Sequence, residues 1–208
     1  MEYTKENLRK YYREHTSGPI GSHRFFSVLV PIMEVDGKLS FFFETRASHM
    51  ESQPGEICFP GGNMEPRETP LQCAVRETYE ETGITEDKIE ILGEGNTLYG
   101  YANYTLYTTV AFLKNVDIPR LNLSKDEVDE VFTVPLDRFT KENLYVSRQN
   151  IYTDLKAFPY EKYGITEDYS WRIGNWDIPL YDVDGRKIWG LTARIISDMV
   201  DNFGVEIG

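Results

Sequence analysis

Two apolar runs that flank Asp36 and Gly37 are the strongest constraint on the fold. The run FFSVLVPIMEV precedes this pair and KLSFFFETR follows it. An Asp-Gly pair between apolar runs is typical of a tight β-hairpin, because both turn positions favour residues that tolerate positive φ angles. Further strands are predicted in KIEILGE, YTLYTTVAFLK and EVDEVFTVPLDRF, the last of which runs into a short helix.

Helices are predicted at both ends of the chain. A polar helix covers residues 3–15 and stops before the breaker SGP, and KIWGLTARIISDMVDNFG is an amphipathic helix that ends at Gly204. With 208 residues, the chain fits one mixed α/β domain at 23–208 that follows a helical extension at 1–22. The pattern between residues 143 and 182 does not predict any particular element.

The net charge and the small numbers of Cys and His residues argue against several classes of function. The net charge is −12, with 34 acidic and 22 basic residues and no run of Lys or Arg, so neither nucleic acid nor an anionic membrane is an expected partner. No apolar stretch reaches membrane-span length, and the N-terminus lacks a signal-peptide core. The two cysteines have no metal or redox spacing, which predicts a reducing cytoplasm. Three isolated histidines argue against a histidine-rich zinc site or a histidine-based triad.

A helix with strong boundary signals follows a long polar loop. The loop at 47–69 is rich in Gly and Pro and is longer than most loops that only connect two elements, so we predict a functional role for it. Thr69 is the expected N-cap, Pro70 stands at the first helical position and Gln72 at the capping-box position. Gly83 supplies the stop signal.

This helix gathers three glutamates. At 100° per residue, one side is predicted to be small and apolar and the opposite side acidic. The first set is Leu71, Ala74, Val75, Thr78 and Thr82, and the second is Glu77, Glu80 and Glu81. Like charges at these spacings repel by about 0.2–0.5 kcal/mol per pair in water. The repulsion has two explanations: a solvated acidic face, or a site for a hard divalent cation such as Mg²⁺, which takes oxygen ligands.

The segment upstream of the glutamates favours the cation. The segment GNMEPRETPLQCAVRETYEETGI begins at Gly62. It contains Glu68, Arg76-Glu77, Glu80-Glu81 and Gly83 at the spacing of a known motif. It resembles the signature of the Nudix hydrolases at all its fixed positions, with Thr78 where the family usually has an aliphatic residue.

The resemblance implies an α/β/α sandwich with a mixed sheet, whose loop-helix-loop binds Mg²⁺ or Mn²⁺ and hydrolyses a nucleoside diphosphate linked to another group. The implied metal ligands are Glu77, Glu80, Glu81 and the carbonyl of Gly62. Arg76 is implied to pair with Glu68 and to hold the loop against the helix. The general base varies in this family, so Glu81, Glu127 and Glu130 are all candidates.

A second motif precedes the first. Residues 41–62, FFFETRASHMESQPGEICFPGG, resemble the additional motif of the coenzyme A pyrophosphatase branch. Arg46, Gly55 and FPGG match it in spacing, whereas Ala47 replaces a Ser and Glu51 stands where the motif has a second basic residue. The change at Glu51 puts one contact to substrate phosphate in question. The segment IWGLTARII also resembles the closing helix of that branch.

Candidate substrate ligands come from the same segments. The guanidinium of Arg46 is suited to bind a pyrophosphate through two hydrogen bonds. The alternative is that Arg46 forms a surface ion pair. Gly61 and Gly62 allow close approach of the backbone to phosphate and ion, or else form a plain turn. Trp189 either lines an adenine or pantetheine pocket or belongs to the core.

Together these motifs predict a cytoplasmic, metal-dependent Nudix hydrolase that cleaves the pyrophosphate of coenzyme A or a derivative to 3′,5′-ADP and 4′-phosphopantetheine. The alternatives are hydrolysis of another nucleoside diphosphate derivative, such as ADP-ribose, NADH or a dinucleotide, and a non-catalytic Nudix-fold ligand sensor. The expected partner is a small nucleotide derivative, and a homodimer is a further option.

Overall fold

The computed structural model of the protein describes residues 3–166 and 168–203. In chain order the elements are α1 (Lys5–Glu14), β1 (Arg24–Val35), β2 (Lys38–Arg46), β3 (Ile57–Cys58), β4 (Gly61–Asn63), α2 (Pro70–Thr82), β5 (Ile89–Glu94), β6 (Leu98–Gly100), β7 (Tyr104–Leu113), β8 (Val128–Pro135), β9 (Leu144–Ile151), α3 (Tyr160–Tyr163), β10 (Gly174–Val183), β11 (Arg186–Trp189) and α4 (Gly190–Phe203).

The predicted hairpin forms the centre of the main sheet. Asp36 and Gly37 have φ angles of 50° and 76°, and Val35 pairs with Lys38 across the turn. The strand order is β3-β2-β1-β7-β5, and β8, β4 and β6 pair with β2, β1 and β7. Strands β1 and β7 are parallel, whereas β1 pairs with β2 in the antiparallel sense, so the sheet is mixed as predicted.

Both faces of this sheet are covered, because successive strand residues point to opposite faces. Leu29 and Phe42 pack with Ala74 of α2 in one core cluster. Their neighbours Val30, Phe41 and Phe43 pack in a second cluster that contains Ile195 and Ile196 of α4. The two helices therefore lie on opposite faces of the sheet, and the architecture is the α/β/α sandwich that the sequence predicted.

A second, antiparallel sheet consists of β9, β10 and β11, and β9 and most of β10 lie in the region to which the sequence assigned no element. Strand β9 is exposed or half-buried along its whole length, so it carries no apolar alternation that could reveal a strand. The closing helix was predicted from Lys187, which is wrong at its start. Residues 187–189 belong to β11, and the helix begins at Gly190, whose φ of 67° permits the change of direction. The predicted stop at Gly204 lies outside the described residues.

The N-terminal helix forms as predicted but has no buried residue. Thr4 caps it by accepting a hydrogen bond from the Asn7 amide at 3.1 Å. The boundary between extension and domain at residue 22 stays a prediction. Among the residues described, no helix has the length and apolar character needed to cross a bilayer.

Candidate active site

Helix α2 is fixed at both ends by the interactions that the sequence predicted. Gln72 N–H donates to Thr69 Oγ1 at 3.2 Å, and Thr69 N–H donates to Gln72 Oε1 at 2.9 Å, which completes the capping box. Gly83 is left-handed, and its N–H donates to the Tyr79 carbonyl at 2.8 Å. The glutamates of this helix are therefore carried on a rigid element.

The predicted division of this helix into an apolar and an acidic face is wrong at two positions. Leu71 is 42% exposed, whereas Glu81 is only 4% exposed. The reason is helical geometry: Glu81 follows Ala74 by seven residues, almost two full turns, so both side chains point towards the sheet. One of the three glutamates is thus buried, and only Glu80 is largely solvated.

Glu81 is held against the glycine loop. Its Oε2 accepts a hydrogen bond from the Gly61 amide at 2.9 Å. A Cβ at Gly61 would lie 2.3 Å from the Ser27 carbonyl oxygen, and a Cβ at Gly62 would lie 2.5 Å from the Glu77 carboxyl carbon. Position 61 therefore requires glycine, because the loop lies directly on the backbone of β1 there, whereas a side chain at position 62 would displace the Glu77 carboxylate.

Arg76 joins the loop to the helix. Its Nε and Nη2 form a two-pronged ion pair with Glu68 at 2.8 and 3.0 Å, so the predicted pairing is present. Its Nη1 also donates to Glu77 at 2.8 Å and to Glu80 at 2.9 Å, which the sequence did not predict. One guanidinium thus contacts three carboxylates and leaves a net negative charge, and it holds the pKa of Glu68 at about 2.

Glu44 is a site residue that sequence reasoning missed. It is 1% exposed, its Oε1 accepts from the Cys58 thiol at 3.3 Å, and its Oε2 has no partner among the described residues. It lies two residues after Phe42 on β2 and therefore faces α2. Burial raises the pKa of Glu44. The pKa of Glu81 is raised as well, mainly by burial and to a smaller extent by the charge of Glu44. The available signal was a lone acid in the apolar run FFFETR.

The carboxylate cluster formed by Glu44, Glu77, Glu80 and Glu81 has the chemistry of a site for a hard divalent cation. Burial raises the pKa of Glu77 as well, and the charges of Glu80 and Glu127 add to this effect. All the side-chain donors are oxygens, which suits Mg²⁺ or Mn²⁺. Within the described residues, no three ligating side chains converge closely enough to hold one ion in this arrangement. The ligand atoms are of the type that binds such a cation, and the cluster carries negative charge that a cation would balance. The side chains are not arranged around a single position in this structure.

The structure distinguishes two of the candidates for the general base, Glu127 in the turn before β8 and Glu130 on β8 itself. Glu130 Oε1 accepts from Arg186 at 2.6 Å, and this bond lowers the Glu130 pKa. The carboxylate of Glu127 instead acts on the cluster, because its charge raises the pKa of both Glu77 and Glu81. Glu127 is therefore the better placed of the two, and Glu130 is committed to an ion pair outside the cluster.

A cavity of about 560 Å³ lies beside the glycine loop. Arg46, Gly61 and Gly62 line it, as the substrate motif implies. Arg46 makes only long contacts of 3.4 Å to the Ser52 carbonyl, and no carboxylate in the described part of the chain forms an ion pair with it, which argues against the surface-pair alternative.

The other walls of this cavity were not predicted, apart from Trp189, for which the sequence left a pocket role and a core role open. They include Arg24, Tyr101, Tyr104 and Trp176, together with Trp189, which is 43% exposed and so does not belong to the core. No local pattern marks Tyr104 and Trp176 as neighbours, because they lie on β7 and β10, two strands that are far apart in the chain. Glu51 is exposed and is not among the lining residues.

Replacing Glu44 with Gln should stabilise the metal-free protein at pH 8. The raised pKa means that the folded state prefers the protonated acid, so wild-type stability falls as the pH rises above the ordinary Glu range. The variant removes that charge and should raise the free energy of unfolding in urea by more than about 1 kcal/mol at pH 8, and by less at pH 4.5. The exposed Glu86 provides the control in Glu86→Gln. A variant less stable than wild type at pH 8 would contradict a costly buried charge.

A capped glutamate helix, a glycine loop on its flank and an arginine-lined cavity on an α/β/α sandwich define a Nudix-type domain. The sequence model described as the NUDIX domain matches residues 23–155. The chain belongs to the Nudix family.

Similar proteins include two curated relatives. The chain is 39% identical to the peroxisomal coenzyme A diphosphatase NUDT7 of Mus musculus over 151 residues, which cover 72% of this chain and 62% of the relative. It is 27% identical to the mitochondrial coenzyme A diphosphatase NUDT8 of Homo sapiens over 171 residues, 81% of this chain and 65% of that protein. The chain thus spans less than two thirds of either relative.

One solved structure supports the fold over nearly the whole chain. A MutT/nudix family protein from Enterococcus faecalis superimposes with a TM-score of 0.51 at 15% identity, and the match covers 96% of this chain and 70% of that protein.

Proposed function

We propose that this Nudix protein hydrolyses the pyrophosphate bond of coenzyme A or a derivative, with Mg²⁺ or Mn²⁺, to give 3′,5′-ADP and 4′-phosphopantetheine. The observation that carries the proposal is that one cavity contains both Arg46 of the coenzyme A motif and the Gly61-Gly62 loop that rests on the glutamate helix. The names of the two curated relatives point to the same substrate.

The proposed roles follow from the contacts. Glu77, Glu80, Glu81 and the Gly62 carbonyl would hold the cation, which when bound supplies Lewis-acid activation of water and neutralises developing charge. The Gly61 amide fixes the Glu81 carboxylate by its hydrogen bond.

The remaining residues position the substrate and the loop. Arg46 would bind the pyrophosphate oxygens with two guanidinium nitrogens, because no carboxylate of the described chain forms an ion pair with it. Arg76 and Glu68 keep the loop on the helix through their paired hydrogen bonds. Glu127 would take the proton of the attacking water, since Arg186 binds the competing Glu130.

The test is a substrate panel with coenzyme A, an acyl-coenzyme A, ADP-ribose, NADH, diadenosine polyphosphates and nucleoside triphosphates. We expect coenzyme A or its acyl form to give the highest kcat/KM, by roughly 10-fold or more, the value of one charge-assisted contact. The rate should be lost in EDTA and restored by Mg²⁺ or Mn²⁺.

Three outcomes would count against the proposal in different ways. Preference for ADP-ribose or a dinucleotide would remove the coenzyme A assignment and keep the hydrolase. Hydrolysis that persists in EDTA would remove the metal. Binding without any phosphate-bearing product would favour a ligand sensor. The cytoplasmic location stays a prediction, since the named relatives are peroxisomal and mitochondrial.

A further inference from the structure

The cavity contains two arginines, Arg24 and Arg46, that form no ion pair in the described part of the chain. The charge of Arg46 nevertheless also acts on Glu44 and Glu56. The arginines that do form ion pairs in that part of the chain all lie outside the cavity: Arg76, Arg120, Arg138, Arg148 and Arg186. In a chain with 34 acidic and 22 basic residues, unpaired arginines in a cavity are available for an anionic ligand.

Arg24 stands far from the loop that would hold the pyrophosphate. Arg24, Phe26 and Val28 are alternate residues of β1 and all line the cavity, so they share one face of the strand. Val28 pairs with Gly61. At roughly 3.3 Å per residue, the Cα atoms of Arg24 and Val28 are about 13 Å apart along the strand. A pyrophosphate bridges much less than this distance, so one held by Arg46 and Gly61 leaves Arg24 for a different anion.

The wall of the cavity beside Arg24 is aromatic, whereas the polar loop at residues 63–68 borders Arg24 in a second pocket. The Arg24 guanidinium lies 5.6 Å from the centroid of the Phe26 ring. Burial raises the pKa of Tyr104, while the charges of Arg194 and Arg24 lower it, which places both cations near this ring. Arg194 in turn stacks at 4.0 Å on the ring of Trp176, another residue that lines the cavity. This end of the cavity therefore combines flat apolar surfaces with positive charge, which suits a phosphorylated nucleoside.

We propose that Arg24 binds a second phosphoryl group of the substrate, one that is not hydrolysed and that is carried as a monoester on the ribose. Arg24 is thus a specificity-determining residue that selects nucleoside diphosphate derivatives with an additional ribose phosphate. The inference rests on the proposed function, and it supplies a cation where Glu51 does not provide the basic residue expected from the motif.

The test compares binding of adenosine 3′,5′-bisphosphate and 5′-AMP by calorimetry, in Mg²⁺ buffer, to the full chain and to Arg24→Gln. The bisphosphate should bind wild type more tightly than 5′-AMP, and the variant should weaken its binding roughly 10- to 150-fold, as for a lost charge-assisted hydrogen bond. Binding of 5′-AMP should change less than about 3-fold, because the 3′-phosphate is absent from it. Arg24→Lys should retain part of the preference, since the charge remains.

Arg172→Gln is the matched control, because Arg172 is exposed, lies outside the cavity and has no ion-pair partner in the described chain. Unfolding temperatures of all variants verify the fold. Equal weakening of both nucleotides in Arg24→Gln, or no preference for the bisphosphate in wild type, would overturn the inference. Because this test measures binding, the inference stands if the bisphosphate preference is found in a protein that fails to hydrolyse coenzyme A. Conversely, hydrolysis without that preference overturns only the inference.

Discussion

Turnover of the Glu81→Gln variant is expected to fall at least about 100-fold at saturating Mg²⁺, because a carboxylate proposed to hold the cation loses its charge. The backbone contact should survive, since the amide oxygen of Gln can still accept the Gly61 hydrogen bond. Removing a buried charge next to Glu44 should leave the unfolding temperature in EDTA unchanged or higher. Steady-state kinetics and a thermal melt measure the two effects separately.

Glu86→Gln is the control for this change, because Glu86 is exposed just beyond the end of α2. It should retain wild-type turnover. A near-normal Mg²⁺-dependent rate in Glu81→Gln would show that this carboxylate has no part in the reaction, whereas a collapsed melt would show a structural role instead.

Gly61→Ala is expected to lose both stability and activity. The added methyl would meet the Ser27 carbonyl oxygen at 2.3 Å and the Val28 Cα at 2.6 Å, and these backbone atoms cannot move aside without displacing β1. Its φ of 154° is also strained for a residue with a side chain. Overpacking and backbone strain together should lower the free energy of unfolding by about 3 kcal/mol. Urea unfolding measures this loss.

Gly62→Ala should behave differently, because its methyl meets only the carboxyl end of the Glu77 side chain. A flexible side chain can turn away, so we expect a large loss of turnover with a small loss of stability. Gly93→Ala is the control for both, since no atom lies within 4 Å of an added methyl there. If Gly61→Ala were as stable as Gly93→Ala, the loop would not be packed on β1 as described.

The parts of the structure that the sequence predicts correctly are those determined by local interactions. The Asp36-Gly37 turn and the caps of α2 depend on residues within four positions of one another, and both were predicted. The burial of Glu81 agrees with the 100° helical spacing, which places Glu81 on the side of Ala74, so the assignment of Glu81 to the acidic face was an error in reading the pattern. Glu44 was missed for a different reason, because its significance arises only when β2 is placed against α2.

The cavity was the least predictable part of the site. Phe26 and Tyr104 come together only because β1 and β7 pair in parallel, a contact between residues almost 80 positions apart. Trp176 belongs to a strand with too few buried neighbours to be recognised from its sequence. The motifs therefore located the glutamate helix, the Gly61-Gly62 loop and Arg46, and left a pocket role open for Trp189, whereas the remaining walls are evident only in the fold.

The residues of the proposed cation site and those of the cavity walls are distributed differently along the chain. Glu44, Arg46 and the residues of α2 belong to the first half, whereas Trp176 and Trp189 belong to the second small sheet, beyond the residues that match the family. The proposed cation site and part of the proposed substrate cavity are thus encoded in different segments. Exchange or mutation of the later segment is therefore expected to change substrate preference while the proposed cation site in the earlier segment is kept.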